Sequence, residues 1–149
     1  MAVLFGLFAI FATLTGIKLP DGAIANMRDS GPLLAGFIAG PVAGLLAGLI
    51  GGAHRLTMGG MTCVPCTAAT MLAGLASGLL YLRRKGVFPS PLYLVTAAFL
   101  MEGLHMTLIL LMVHTPQAYA TVGLITLPMM LANAAAMGIF ALIFRTTAD

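Results

Sequence analysis

"GPLLAGFIAGPVAGLLAGLIGG", residues 31–52, is an apolar run with a strict small-residue rhythm: Gly36, Gly40, Gly44, Gly48 and Gly52 recur at every fourth position. Ala35, Ala39, Ala43 and Ala47 form a second stripe beside them. This spacing lets backbones approach closely, which is how helices pack inside a bilayer. The run therefore predicts a central, Gly-rich transmembrane helix, its stripes marking packing rather than chemistry. Pro41 falls inside it, where the missing N–H kinks or breaks a helix.

The rest of the chain has the same solvent preference. Of 149 residues, 60% are hydrophobic and 7% charged, and the mean hydropathy is +1.08. No water-soluble fold hides so much apolar surface behind so few charges. A bilayer core takes about 20 apolar helical residues, and five runs qualify: 2–17, 32–52, 66–82, 91–113 and 119–144. The fold class expected is an all-α membrane protein, a compact bundle of about five transmembrane helices, with the Gly-rich helix central and a broken or re-entrant element near it. The first run lacks a basic start and is followed by further spans, so it reads as a helix rather than a signal peptide. The whole of 1–149 reads as a single transmembrane domain with no soluble output domain.

Orientation follows from few charges. Arg83, Arg84 and Lys85 cluster between the third and fourth runs, which the positive-inside rule assigns to the cytoplasm, and Arg145 then returns to the same side. The segment from Arg55 to Cys66 faces outward. So few basic residues, one cluster of them explained by topology, leave no signal for nucleic acid.

Polar residues inside such a bundle are costly and mark cavities or partners. Glu102, with His105 three positions on and sharing its face, lies near mid-membrane. The two permit a Glu–His pair, a proton relay or two metal ligands. The plainer alternative is that Glu102 neutralises an arginine from another helix and His105 bonds a backbone carbonyl. Asn26, Arg28 and Asp29 precede the second run, His54 and Arg55 follow it, and Asn133 stands in the fifth. Asp29, before Ser30, Gly31 and Pro32, suits capping of the next helix. His114 reads as interfacial. Two arginine forks against one glutamate leave a positive charge that a monocarboxylate balances. A continuous second helix of roughly 20 residues would hold Arg28 and Arg55 about 30 Å apart. A shared site therefore requires the segment from Lys18 to Ser30 to fold inward, or a break near Gly40 and Pro41.

Cys63 and Cys66 form Cys-Val-Pro-Cys, a spacing of redox pairs and metal sites. Zinc wants four ligands and only His54 lies near, so no metal or cofactor is assigned; the alternatives are a disulfide and two small buried residues. The scattered methionines read as packing.

These residues resemble a family. "GAIANMR" (22–28), "GPVAGLLAGLIGGAHR" (40–55), "CTAATMLAGLASG" (66–78), a glutamate in the fourth run and "LPMMLANAAAMGIF" (127–140) look like the five-transmembrane receptor domain of the LytS-YhcK type. The resemblance implies the membrane sensor of a bacterial histidine kinase or diguanylate cyclase in the inner membrane. It also implies a cytoplasmic output domain in the full-length protein, a homodimer, and a small anionic ligand such as pyruvate. Arg28, Arg55 and Cys66 match its ligand site, and Asn26, His54, Thr67, Thr70, Glu102, His105 and Asn133 complete the expected set. Where the family often has serine three residues after the cysteine, this chain has Ala69, so Thr67 or Thr70 must supply the hydroxyl. Two other classes stay open: the substrate-binding component of a transporter, and a redox or metal sensor built on Cys63 and Cys66. An enzyme is not expected, because no nucleophile, base and oxyanion arrangement emerges from the motifs.

Overall fold

A computed structural model describes residues 1–148. It contains five helices, α1 (Ala2–Leu14), α2 (Ser30–Thr57), α3 (Cys63–Arg83), α4 (Pro91–Met112) and α5 (Pro116–Ala148), and a short antiparallel ribbon of β1 (Ile17–Lys18) and β2 (Ile24–Ala25). The ribbon pairs Ile17 with Ala25 and Lys18 with Ile24. It is the one departure from an all-helical chain among the described residues. Asp21 shapes its turn by accepting from the Ala23 N–H at 2.9 Å, and its other carboxylate oxygen accepts from Thr121 on α5.

The solvent pattern is inverted relative to a soluble protein. Leu7, Phe11, Val42, Leu46, Leu79, Leu100, Leu111, Leu124, Leu131 and Leu142 are exposed, whereas Arg28, Asp29, Arg55, Glu102, His105 and Asn133 are buried. Lipid is the solvent that such a surface requires. By length and composition, α2, α3, α4 and α5 are each long enough to cross a membrane, while α1 is shorter.

Helix ends follow local chemistry. At α4, Ser90 caps the N-terminus by accepting from the Tyr93 N–H at 3.4 Å, and Pro91 follows where its missing N–H costs nothing. At α5, Thr115 accepts from the Ala118 N–H at 3.2 Å before Pro116.

Although α2 is continuous in sequence, it is not one rod. Gly40 has φ 83° and ψ −175°, outside helical geometry, and Pro41 has no N–H with which to carry the ladder across. The chain folds back here. A side-chain carbon built on Gly44 would lie 2.9 Å from the Gly36 Cα, whereas eight residues of straight helix separate two positions by about 12 Å. The first limb (30–39) and the second limb (41–57) therefore run antiparallel, and both touch α3 at Gly74.

The glycine rhythm makes that contact possible. Along the second limb, Gly44 packs on Gly74; a Cβ added to Gly48 would lie 2.8 Å from the Met71 Cα and the Thr70 carbonyl oxygen, and one added to Gly52 would lie 2.9 Å from the Thr67 methyl. On its other side α2 carries α1: Gly6 lies against Ile50, Gly31 against the backbone of Phe5, and Gly51 against Ala9. With α2 doubled back, its two limbs pack in the bundle with α1, α3, α4 and α5. Gly40, Tyr81, Lys85 and Arg145 gather at one end, and Gly22, Gly60 and Thr62 at the other.

Candidate functional site

The first limb begins inside the bundle, because the segment after β2 runs inward before its helix starts. Asn26 sets that entry: its Oδ1 accepts from the Arg28 N–H at 2.9 Å and its Nδ2 donates to the Ile24 carbonyl at 3.1 Å. Arg28 and Asp29 are thereby delivered, almost fully buried, against the middle of α3 and α4. The start of a helix carries a partial positive charge, which favours the carboxylates gathered there.

Thr70 of α3 joins Arg28 to Asp29. Its hydroxyl accepts from Arg28 Nε at 2.7 Å and lies 2.6 Å from Asp29 Oδ1, with the Cys66 carbonyl 2.8 Å away. Arg28 Nε stands 3.7 Å from Asp29 Oδ1. Asp29 makes no side-chain cap bond to α2, so the capping role expected for it is not the one observed. Its Oδ2 faces His105 Nδ1 at 2.9 Å instead. Burial accounts for the difference, since a carboxylate taken out of water needs charged and hydrogen-bonding partners.

On α4, Glu102 Oε1 lies 3.1 Å from the same His105 Nδ1. Glu102 Oε2 accepts from Asn133 Nδ2 at 2.8 Å. Asn133 also accepts from the Ser30 hydroxyl at 2.8 Å and stands 3.3 Å from the Asn26 carbonyl, fastening α5 to the start of α2. Of the arrangements open to Glu102 and His105, the structure holds the Glu–His pair, with Asp29 as a third member. The other ring nitrogen, His105 Nε2, is 3.2 Å from Cys66 Sγ. Asp29 Oδ2, Glu102 Oε1 and His105 Nδ1 are close but none is aligned for a hydrogen bond among the described residues; two carboxylates facing Nδ1 favour a proton on that nitrogen, with Nε2 facing the thiol.

Asp29, Glu102 and His105 offer donors within 4.8 Å of one another, a set able to hold a metal ion. Arg28 beside Asp29 sets a fixed positive charge against a cation there, and the imidazole already joins the two carboxylates.

Arg28 itself is only partly satisfied. Its Nη1 and Nη2 are buried with no hydrogen-bond partner among the described residues. Arg55 shows the reverse pattern: its Nε is the unpartnered nitrogen, while Nη1 donates to the Gly59 carbonyl at 2.5 Å and Nη2 to the Gly22 carbonyl at 3.2 Å and the Thr62 hydroxyl at 3.1 Å. It ties the ribbon turn to the α2–α3 loop. The two arginines nonetheless lie on the same side of the fold-back, because Arg28 packs beside Gly51, one turn before Arg55.

The remaining expected residues divide. Thr67 spends its hydroxyl on the Gly52 and Cys63 carbonyls at 3.0 and 2.8 Å, strapping α3 to α2. His54 is half-buried and its Nδ1 makes no hydrogen bond among the described residues. His114 is exposed in the loop after α4. Cys63 and Cys66 are free thiols. Asp29, Ser30 and Thr62 are the participants that the sequence reading did not place in the site. For Asp29 a signal existed: an acid beside an arginine in an apolar chain has few other places to go.

The family model described as "5TMR of 5TMR-LYT" matches residues 1–147, and the chain belongs to that family. The chain is 36% identical over 145 residues to the sensor histidine kinase BtsS of Escherichia coli (strain K12), covering 93% of this chain and 26% of that protein. It is 32% identical over 155 residues to the sensor protein LytS of Bacillus subtilis (strain 168), covering 92% of this chain and 26% of the relative. The sensor histidine kinase YpdA of E. coli is 29% identical over 85 residues, 56% of this chain. The chain thus spans about a quarter of the length of the first two relatives. No solved structure matches it.

Proposed function

We propose that residues 1–149 form the ligand-sensing transmembrane module of a bacterial signal-transduction protein of the histidine kinase or diguanylate cyclase type, and that it binds a small monocarboxylate such as pyruvate between α2, α3 and α4. The observation that carries this reading is the Arg28 guanidinium, fully buried with both terminal nitrogens unpartnered. A buried donor pair of that geometry fits the two oxygens of a carboxylate. Thr70, Cys66 and His105 stand around it as polar neighbours, with Thr70 supplying the hydroxyl that Ala69 lacks. Asn26, Glu102 and Asn133 hold the frame, Arg55 and Thr67 fix its outer wall, and His54 lines the same end of α2.

Signalling follows from unequal affinity for two arrangements of the bundle. A carboxylate on Arg28 competes with Asp29 for the same cation, and Asp29 is linked through His105 and Glu102 to Asn133 on α5, the helix that ends near Arg145. In the full-length protein that helix leads to a cytoplasmic output domain, which would hold the kinase or cyclase activity. The module sits in the inner membrane with its C-terminus cytoplasmic, and signals as a homodimer.

Calorimetric titration of the purified protein with acetate, lactate, pyruvate and succinate tests the reading. Saturable binding of a monocarboxylate is expected, lost in Arg28→Ala and weakened at least about tenfold in Arg28→Lys, because a point charge does not reproduce the fork. Arg55→Ala is expected to retain binding with lower thermal stability. Equal binding by wild type and Arg28→Ala would refute the site. Uptake into liposomes against a gradient would favour the transporter reading instead.

A further inference from the structure

Cys66 and His105, placed above beside the carboxylate of Arg28, also face one another. Cys66 Sγ lies 3.2 Å from His105 Nε2, while Nδ1 of the same ring faces Asp29 Oδ2 at 2.9 Å and Glu102 Oε1 at 3.1 Å. A thiol, an imidazole and an acid in that order is the geometry by which a cysteine is made nucleophilic: the acid fixes the tautomer and stabilises the imidazolium that forms. All four groups are buried. One turn further along α3, Thr70 bonds Arg28, whose two terminal nitrogens are unpartnered. A nucleophile thus stands about one helical turn from an anchor for a carboxylate.

We propose that this module selects 2-oxo acids over other monocarboxylates by reversible covalent addition of Cys66 to the ketone carbon, a deepening that rests on the carboxylate site assigned to Arg28. With the carboxylate held by Arg28, His105 Nε2 takes the thiol proton and becomes an imidazolium braced by Asp29 and Glu102. The sulfur electron pair forms the Sγ–C2 bond, and the π bond of the ketone opens onto its oxygen. His105 Nε2 returns the proton to that oxygen. The S–H bond and the π bond of the ketone are broken, an S–C and an O–H bond are formed and the C–O single bond remains, with no oxidant, reductant or leaving group. The product is a hemithioketal, and the reverse sequence releases the ligand unchanged. Acetate lacks the electrophilic carbon and lactate has already lost it to reduction. Both retain the Arg28 contact and forgo the bond to sulfur.

Pyruvate labelled with carbon-13 at C2, added to the purified full chain, provides the test by NMR, with titrations of pyruvate, lactate and acetate in parallel. The expected result is transfer of the bound C2 resonance from the ketone region to that of a tetrahedral carbon bearing sulfur and oxygen. In Cys66→Ala the signal should remain a ketone, and pyruvate affinity should fall by on the order of tenfold more than acetate affinity does, which removes the preference for the 2-oxo acid. Saturable pyruvate binding with an unshifted ketone signal would overturn the covalent step and leave the carboxylate site standing. Equal loss of acetate and pyruvate in Cys66→Ala would overturn it also. Absence of binding by any monocarboxylate would refute the site and the inference together. His105→Gln, which keeps a polar side chain in the cluster, should slow the appearance of the tetrahedral resonance more than it weakens acetate; an unchanged rate of adduct formation would overturn the role given to the imidazole.

Discussion

Thr70 is the residue on which the two charged halves of the cluster meet, since its single hydroxyl accepts from Arg28 and touches Asp29. Replacing it by valine preserves shape and removes both contacts, leaving Arg28 Nε without its acceptor in a low-dielectric interior. A lost partner for a buried polar group costs about 1–3 kcal/mol, more where it is charged. Thr70→Val should therefore lower the thermal midpoint in detergent and Thr70→Ser should restore it; an unchanged midpoint in the valine variant would show that the hydroxyl is dispensable. The role of Thr70 was half legible, because a hydroxyl was expected from Thr67 or Thr70 and only packing decides which. Thr67 sits one turn nearer the α3 start, facing Gly52, and spends its hydroxyl on backbone carbonyls. Asp29 was misjudged for a related reason: capping is a local rule, and the partner that overrides it, His105, is remote in sequence.

Among the elements, α2 depends most on a single residue. The conformation of Gly40, φ 83° with ψ −175°, belongs to a region that only glycine populates freely. A methyl group there would meet the Tyr81 ring at 3.4 Å, an ordinary contact, so the penalty of Gly40→Ala is conformational rather than steric. It should cost on the order of 1–3 kcal/mol, read as a lowered thermal midpoint. Gly44→Ala has the opposite cause, because its Cβ would collide with the Gly74 backbone while its own φ is unexceptional. Enlarging the partner cannot rescue it, whereas a second-site change at Tyr81 has nothing to relieve in Gly40→Ala. The periodic glycines made close packing readable, and the Gly40–Pro41 pair marked the place of a break. A kink and a reversal have the same local sequence, so the re-entrant alternative rested on the distance between Arg28 and Arg55 rather than on the glycines or the Gly40–Pro41 pair. The short ribbon at 17–25 was hidden, being held by two pairs of residues and the Asp21 turn.

At the scale of the molecule, the doubled α2 decides which residues share an end. Were α2 a single rod, Ala39 would lie near mid-depth, buried in hydrocarbon and unreactive from either side. In the folded-back arrangement Ala39 is exposed next to the turn, at the end that carries Lys85 and Arg145. Single cysteines at positions 39, 59 and 85, placed in a Cys63→Ser and Cys66→Ser background, separate the two cases. With a membrane-impermeant maleimide, positions 39 and 85 should label together from one side and position 59 from the other, the last because Gly59 lies in the loop where Arg55 is anchored. Protection of position 39 from both sides, with 85 and 59 labelling as stated, would require a continuous helix. Arg28 would then be carried about 40 Å from the Arg55 end of α2, and the burial of its guanidinium beside Thr70 and Asp29 would have no means of support.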